Sequence, residues 1–381
     1  MESYDYIIAG AGCAGLSLVY YLLESDLKNS RILLIDPAGK QIPDKTWCYW
    51  AEKPLAIHPS ASIHSWNDLS FIKGKSKTTK NLGSLNYYHL NSHEFYLSIF
   101  KKLANHSNVT FVQDEVLELK QMSDSIHVQT KSSGIFQSNY AFDSRLKQED
   151  FKSASSLKQL FTGYRIKTET AIFDPKSLIL MEFLQEDSKQ FEFFYILPFS
   201  ETEALVEFTC YSQFEIQEQN LKSKLESHLQ KLTKGTSYTI SFRESGIIPM
   251  SNKLASPQKK SNRIIKIGTA GGWTKASTGY TFHTIQKNCQ QLVNQLEAKK
   301  AGNFQIPRSS RFIFYDNILL NIAHKWPMQL QWLFLNLFNT SSVDVVLRFL
   351  SEETSFKEEL QLLAKLRFPI FIKSLWNYES H

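Results

Sequence analysis

"YDYIIAGAGCAGLSLVYYLLES", Tyr4 to Ser25, decides the fold. Tyr6 to Ala9 are a short apolar run of the buried-strand type. Gly10, Gly12 and Gly15 follow at once as GxGxxG, and Leu16, Val19, Tyr20 and Leu23 then recur at helical spacing. "RILLIDP", Arg31 to Pro37, is a second apolar strand closed by Asp36 and Pro37, which completes a βαβ unit. The tight turn, the approach of the backbone to a pyrophosphate and the packing of helix on strand each need a residue without Cβ. The helix N-terminus offers free N–H groups and positive dipole to phosphates. Asp36 stands 21 residues after Gly15, where an acid accepts ribose hydroxyls. The stretch predicts dinucleotide binding and leaves FAD and NAD both open.

A second glycine cluster narrows the choice. In "IGTAGGWTKASTGYTF", Gly268, Gly271 and Gly272 again lie between a strand and a helix, some 250 residues later. A late loop that folds back over the same nucleotide is the arrangement of flavoproteins with an inserted substrate domain. The intervening chain fits that plan. "NSHEFYLSIFKKLANH" reads as a helix with Asn91 as N-cap, followed by strands in "NVTFVQDEVLELKQ", "SIHVQT" and "YAFDSR". From about residue 155 to 250 short strands dominate, interrupted by the helix "EQNLKSKLESHLQKL". Beyond 305 apolar residues fall at helical spacing.

The expected organisation is therefore α/β. A Rossmann-type FAD-binding domain takes residues 1–55, 85–150 and 255–300. An inserted antiparallel-sheet substrate domain takes 56–84 and 151–254, and a helical region takes 301–381.

Composition bounds the rest. The 381 residues carry a net charge of +6, too mild, with no recognisable nucleic-acid module, to point to nucleic acid. The basic run "KGKSKTTK", Lys73 to Lys80, reads as a solvated loop. Cys13, Cys48, Cys210 and Cys289 are scattered without a CxxC pair, so no metal site or disulfide is expected and a reducing cytoplasm fits. No signal peptide precedes the first strand. No uncharged apolar run reaches the roughly 18 residues of a spanning helix. Aromatics make up 13% of the chain, which feeds either a large core or an aromatic-lined cavity.

One acid stands apart. In "ALVEFTCYS", Ala204 to Ser212, strand alternation puts Leu205, Glu207 and Thr209 on one face and Val206 and Phe208 on the other. The preceding "FEFFYILPF" reads as the hairpin partner and is expected to bring Phe194 near Glu207. By itself this leaves a surface carboxylate and a buried acid both open.

The strings "GAGCAGLSL", "DKTWCYW", "FDSR", "LMEF", "FFYILPF", "VEFTCYS", "ESGIIPM" and "GTAGGWTKASTGYTF" stand in this order, and the chain resembles the bacterial lycopene β-cyclases from Tyr6 to about Phe282. Asp44-Lys45-Thr46-Trp47 together with Ser277-Thr278-Gly279-Tyr280 carry the resemblance. It implies FAD active in its reduced form, NAD(P)H as reductant and no net redox change, hence an isomerase. It implies lycopene and γ-carotene as substrates and peripheral association with the inner membrane. It implies Glu207 as the catalytic acid. To the glycines and Asp36 it adds Ala14, Val116, Asp143, Thr269 and Gly279 as cofactor contacts, and Trp47, Trp50 and Tyr280 beside the substrate. The family follows this glutamate with a second acid; here Phe208 stands in its place, leaving one carboxyl in the strand. Asp143-Ser144-Arg145 and Gly268-Thr269 depart from the Asp-Gly and Gly-Asp pairs of flavin hydroxylases.

"FLSEETSF", Phe349 to Phe356, resembles a glutamate string of the plant cyclases but lies about 145 residues too late. Ser351 reads there as a helix N-cap, with Thr354 or Ser355 as alternatives. "WPMQLQWLFLNLF", Trp326 to Phe338, reads as core, with membrane contact as the rival. Two other functions stay open: a redox flavoenzyme acting on an isoprenoid, and a flavin- or lipid-binding protein without catalysis.

Overall fold

The structure, a computed structural model, describes residues 2–39, 45–147, 157–184, 190–254, 263–298, 308–366 and 368–381. Asp44 falls outside them.

The N-terminal βαβ unit sits at the centre of a seven-stranded sheet. In spatial order its strands are Val109–Val112, Ile32–Ile35, Ser3–Ala9, Ile135–Asp143, Ile126–Thr130 and Val116–Gln121; Ile264–Lys266 also pairs with Ile135–Asp143. The strands around Ser3–Ala9 run parallel. Both of their faces are covered, which is why "YIIA" and "ILLI" are unbroken apolar runs. The glycine-turn helix Cys13–Leu23 and the late helix Phe282–Glu297 pack on one face, tied by Gln286 Nε2 donating to Ser17 Oγ at 3.0 Å. Helix Ser92–Leu103 starts at Asn91, whose side chain accepts from His93 N and Glu94 N.

The second sheet is the inserted layer. Its order is Tyr238–Met250, Leu157–Thr168, Glu203–Ser212, Phe191–Pro198, Ser177–Phe183, Asp68–Lys73 and Ser76–Asn81. The basic run read as a loop is instead the edge hairpin of this sheet, with Ser76–Asn81 pairing Asp68–Lys73 antiparallel. Exposed lysines on an edge strand discourage pairing with further chains. One face of the sheet is covered by helix Glu218–Thr233 through Leu221, Leu225 and Leu229. The other face meets a three-stranded sheet of Thr46–Ala51, Asn86–Asn91 and His64–Trp66, and the C-terminal helices.

Those helices are Ser310–Lys325, Gln329–Thr340, Val343–Leu350, Phe356–Leu363 and Phe368–Trp376. Gln329–Thr340 buries Leu330, Leu333, Phe334, Leu337 and Phe338, so this stretch is core. Ser351 closes helix Val343–Leu350 at its C-terminal end, and the next helix starts at Ser355, with a capping box to Glu358. The reading of Ser351 as an N-cap is corrected; Ser355 takes that place because its φ and ψ are extended and Glu358 lies three residues on.

Candidate active site

A cavity of about 450 Å³ lies where the nucleotide-type layer, the inserted sheet and the helical tail converge. Gly12 and Cys13 of the glycine turn border one part of it, Phe334 and Phe338 of the tail another, and Glu207 projects from the inserted sheet into it. Most of the exposed lining is apolar. Alternation along Glu203–Ser212 explains the acid's position: Glu207, Thr209 and Tyr211 face the cavity, while Val206, Phe208 and Cys210 pack beneath helix Glu218–Thr233.

Register then selects the neighbours of Glu207. Tyr195 stands opposite it on one side and Gly163 on the other. Gly163 is in turn paired with Glu244. A strand bearing two carboxyl neighbours across one glycine brings them together, because no side chain separates them. A Cβ on Gly163 would lie 3.4 Å from the Cγ of Glu207 and 3.4 Å from the Cγ of Glu244. Glu244 Oε2 accepts the Thr46 N–H at 2.9 Å, and Thr209 Oγ1 donates to Glu207 Oε1 at 2.7 Å. Lys45 Nζ donates to the Ser245 carbonyl at 2.7 Å and borders the same cavity.

The electrostatics follow from this geometry. Burial, and then the Glu244 carboxylate, push the Glu207 carboxyl up to about 8; the Thr209 hydroxyl and Lys45 oppose them. Glu207 keeps some accessible surface, and that surface faces the cavity it lines. It therefore carries a proton near neutrality inside an aromatic enclosure. Tyr195 Oη lies 3.0 Å from Tyr87 Oη and 3.2 Å from Cys48 Sγ, and burial pushes the Cys48 thiol up to about 12. Such groups stay neutral, so Tyr195 and Phe193 add aromatic lining without charge, whereas Phe161 already carries the Lys45 ammonium 5.7 Å from its ring centre.

At the glycine turn, the arrangement fits a dinucleotide. A Cβ on Gly15 would lie 1.9 Å from the Gly10 carbonyl oxygen, so helix and strand touch only without it. A Cβ on Gly12 would meet nothing within 4 Å, and that side is open to the cavity. No side chain caps the helix at Gly12. Asp36 Oδ2 accepts the Ala11 N–H at 2.7 Å and Oδ1 the Ala38 N–H at 2.8 Å, which fixes the carboxylate at the strand end. Asp143 lies beside Ala9 in register, but its carboxylate accepts Arg145 Nε at 2.7 Å, and Arg145 also reaches the Val116 carbonyl. Gly268 to Gly271 form a 3-10 turn packed on Ala14, ending at Gly272 in the left-handed region. Thr269 and Gly279 line the cavity beside the first turn of helix Phe282–Glu297.

Two substrate-lining expectations are corrected. Phe194 points away from Glu207: it pairs with Phe208 and stacks on His228 at 3.6 Å on the opposite face, because the register sets Tyr195 across from the acid. Trp50 is buried outside the cavity, its indole N–H donating to Ser351 Oγ at 2.9 Å and its ring meeting Tyr280 edge-on at 4.7 Å. Trp47 and Tyr280 do line the cavity. Glu244 and Tyr195 were not foreseen, and Lys45 stood out only as part of the string Asp44 to Trp47; the glycine in "FTGYRI", in the middle of a strand, was the available signal of close side-chain approach. Glu352 of the late string has a structural place. It pairs with Arg308 and Lys275, and both cations also reach Asp316, an ion cluster that ties the "KASTGY" loop to the tail.

No curated protein sequence matches the chain. Solved structures share its fold across nearly the full length at low identity. A geranylgeranyl bacteriochlorophyll reductase-like protein from Thermoplasma acidophilum is 14% identical, with 98% of this chain and 99% of that chain covered and a TM-score of 0.64. A flavin-dependent brominase is 13% identical, with 98% of each chain covered and a TM-score of 0.65. A flavoprotein/dehydrogenase from Cytophaga hutchinsonii is 12% identical, with 99% of this chain and 98% of that chain covered and a TM-score of 0.67. These likenesses fix the architecture; the sequence fixes the kinship, because a family model described as "Lycopene cyclase protein" matches residues 5–375, and the chain belongs to that family.

Proposed function

We propose that this protein is an FAD-dependent lycopene β-cyclase, an isomerase that closes the ends of lycopene to β-rings by way of γ-carotene. The observation that carries the reading is Glu207: a carboxyl raised to about 8 inside an aromatic cavity that reaches the glycine turn. A cavity of this size suits one end of a long polyene rather than its whole length.

The chemistry needs one loaded acid in a dry place. Glu207 gives its proton to the terminal C=C of the substrate, leaving a tertiary cation. A neighbouring double bond supplies the electron pair for the ring-closing C–C bond, and the cation moves into the ring. Loss of a ring proton, returned to the Glu207 carboxylate, forms the ring double bond and restores the acid. Atoms and electrons balance without an oxidant. The apolar lining keeps out water that would trap the cation as an alcohol, and the aromatic rings of Tyr195 and Phe193 in that lining favour positive charge.

FAD fits the turn formed by Gly10, Gly12 and Gly15 with Asp36, and when bound and reduced it supplies negative charge beside the cavity without being consumed. Gly12 and Cys13 would hold its pyrophosphate at the N-terminus of helix Cys13–Leu23, and Thr269 and Gly279, which line the cavity, would stand on the side of its reactive end. NAD(P)H as the reductant, and peripheral attachment to the inner membrane where a water-insoluble polyene resides, belong to the same proposal. Among the described residues no helix is long and apolar enough to cross a membrane.

Expression in cells that accumulate lycopene, with pigment analysis of wild type and Glu207→Gln, tests the reading. Cyclised pigment from wild type alone is expected. Cyclised pigment from both removes Glu207 as the acid, and unchanged lycopene with the wild type refutes the activity.

A further inference from the structure

We infer that Glu244 is the positioning residue for this reaction: its carboxylate, reaching over Gly163 toward Glu207, keeps the proton on Glu207. The inference rests on Glu207 being the acid. The strand Leu157–Thr168 lies between the two carboxyl-bearing strands, so the residues opposite one another are Glu207, Gly163 and Glu244. Two carboxyl groups that share one side-chain gap do not both ionise easily.

The surroundings decide which of them is charged. Burial by itself disfavours charge on Glu244, which is only 5% exposed, but its Oε2 accepts the Thr46 backbone N–H, a bond that favours the anion. Glu207 faces the cavity. The Thr209 hydroxyl occupies its Oε1 as a donor, which leaves Oε2 to bear the proton. The other titratable groups that line the cavity with Glu207 are Cys13, Lys45, Cys48, Tyr87, Tyr96, Tyr195, Tyr211 and Tyr280. Of these only Lys45 is charged, and its ammonium is anchored on the Ser245 carbonyl. Glu244 thus reaches Glu207 on the same face of the sheet, from the far side of strand Leu157–Thr168, where a second acid at position 208 would not. Phe208 itself lies on the opposite face.

The test follows the protonated-carboxyl infrared band of the purified full-length protein from pH 5 to 10, in parallel with the pH profile of lycopene conversion. Wild type should show a band at pH 7 that Glu207→Gln removes. In Glu244→Gln its midpoint should fall by about one pH unit or more, and the alkaline limb of conversion should fall with it. Glu244→Asp, which keeps the charge, should restore the midpoint. Lys45→Met removes the opposing cation and should move the midpoint up, a test that stands even if Glu244→Gln does not fold. A midpoint unmoved in Glu244→Gln overturns the proposal, whatever Lys45→Met does. So does a band that survives Glu207→Gln and disappears in Glu244→Gln, since the proton then sits on the wrong carboxyl. The band titrating as expected without any lycopene conversion refutes the cyclase reading and leaves the coupling of the two carboxyls standing.

Discussion

Replacing the acid should make the protein more stable while it abolishes turnover, and the gain should depend on pH in a definite direction. A carboxyl whose folded-state value lies above its unfolded value binds its proton more tightly in the folded state. It disfavours folding once pH passes the unfolded value, near 4.5 for this group, and the penalty grows until pH reaches the folded value of about 8. At pH 7 the interval is about 2.5 units, and at roughly 1.4 kcal/mol per unit the penalty is about 3 kcal/mol. Solvent within the cavity screens the interaction, so this is an upper value. Glu207→Gln removes the ionisable group and keeps the oxygen that accepts from Thr209 Oγ1. The variant should therefore match wild type at pH 4.5 and exceed it at pH 7 by up to about 3 kcal/mol, an increase in Tm on the order of 5 °C. Thermal melts of both proteins at pH 4.5, 5.5, 6.5 and 7.5 measure it. A variant less stable than wild type at neutral pH, or a difference constant across the series, would refute the claim that Glu207 is held protonated by burial and by Glu244.

The glycine turn yields a paired expectation. Gly12→Ala should melt within about 0.5 kcal/mol of wild type, since its Cβ meets no protein atom within 4 Å, yet should retain roughly tenfold less flavin, read from absorbance per protein. Gly15→Ala should lose several kcal/mol, about 3 or more, because its Cβ would sit 1.9 Å from the Gly10 oxygen. Asp316→Asn should cost about 3 kcal/mol at pH 7 in denaturant melts, as it leaves the buried Lys275 with less opposing charge. Burial opposes ionisation of Asp316, but Lys275 and Arg308 hold its carboxyl below the usual range, so its contribution is present above the unfolded value and fades as pH falls through the folded one. The deficit of the variant should shrink in acid. Phe208→Asp should destabilise by about 4 kcal/mol or more and add no activity, since the side chain is fully buried against Phe194 and helix Glu218–Thr233.

Local signals and distant ones separate cleanly in this chain. Tyr4 to Pro37 announced strand, turn, helix and strand because a βαβ unit is built from neighbours in sequence: apolar period, missing Cβ atoms and the closing acid all lie within one short segment. The N-cap at Asn91 and the alternation of Glu203–Ser212 were legible for the same reason. Alternation assigned Glu207 to a face. It did not say which face of the sheet would be enclosed or which residue of the neighbouring strand would stand opposite, because pairing register depends on a turn whose geometry the string "SETE" leaves open. Phe194 was misplaced by that one-residue freedom, and a one-residue shift moves a side chain to the other side of the sheet. Trp50 was misplaced because aromatic residues at a site and aromatic residues in a core have the same composition.

The sequence by itself determined the nucleotide-type turn, the layered α/β plan and the family, and it singled out Glu207 as the acid to test. The tertiary structure alone decided that a second carboxyl, 37 positions further along the chain, would answer to the first. Three strands of different origin had to be laid side by side, with a glycine in the middle one, before Glu207 and Glu244 shared a single gap. Charges act through space, and the separation that sets their interaction is fixed by strand pairing rather than by chain distance.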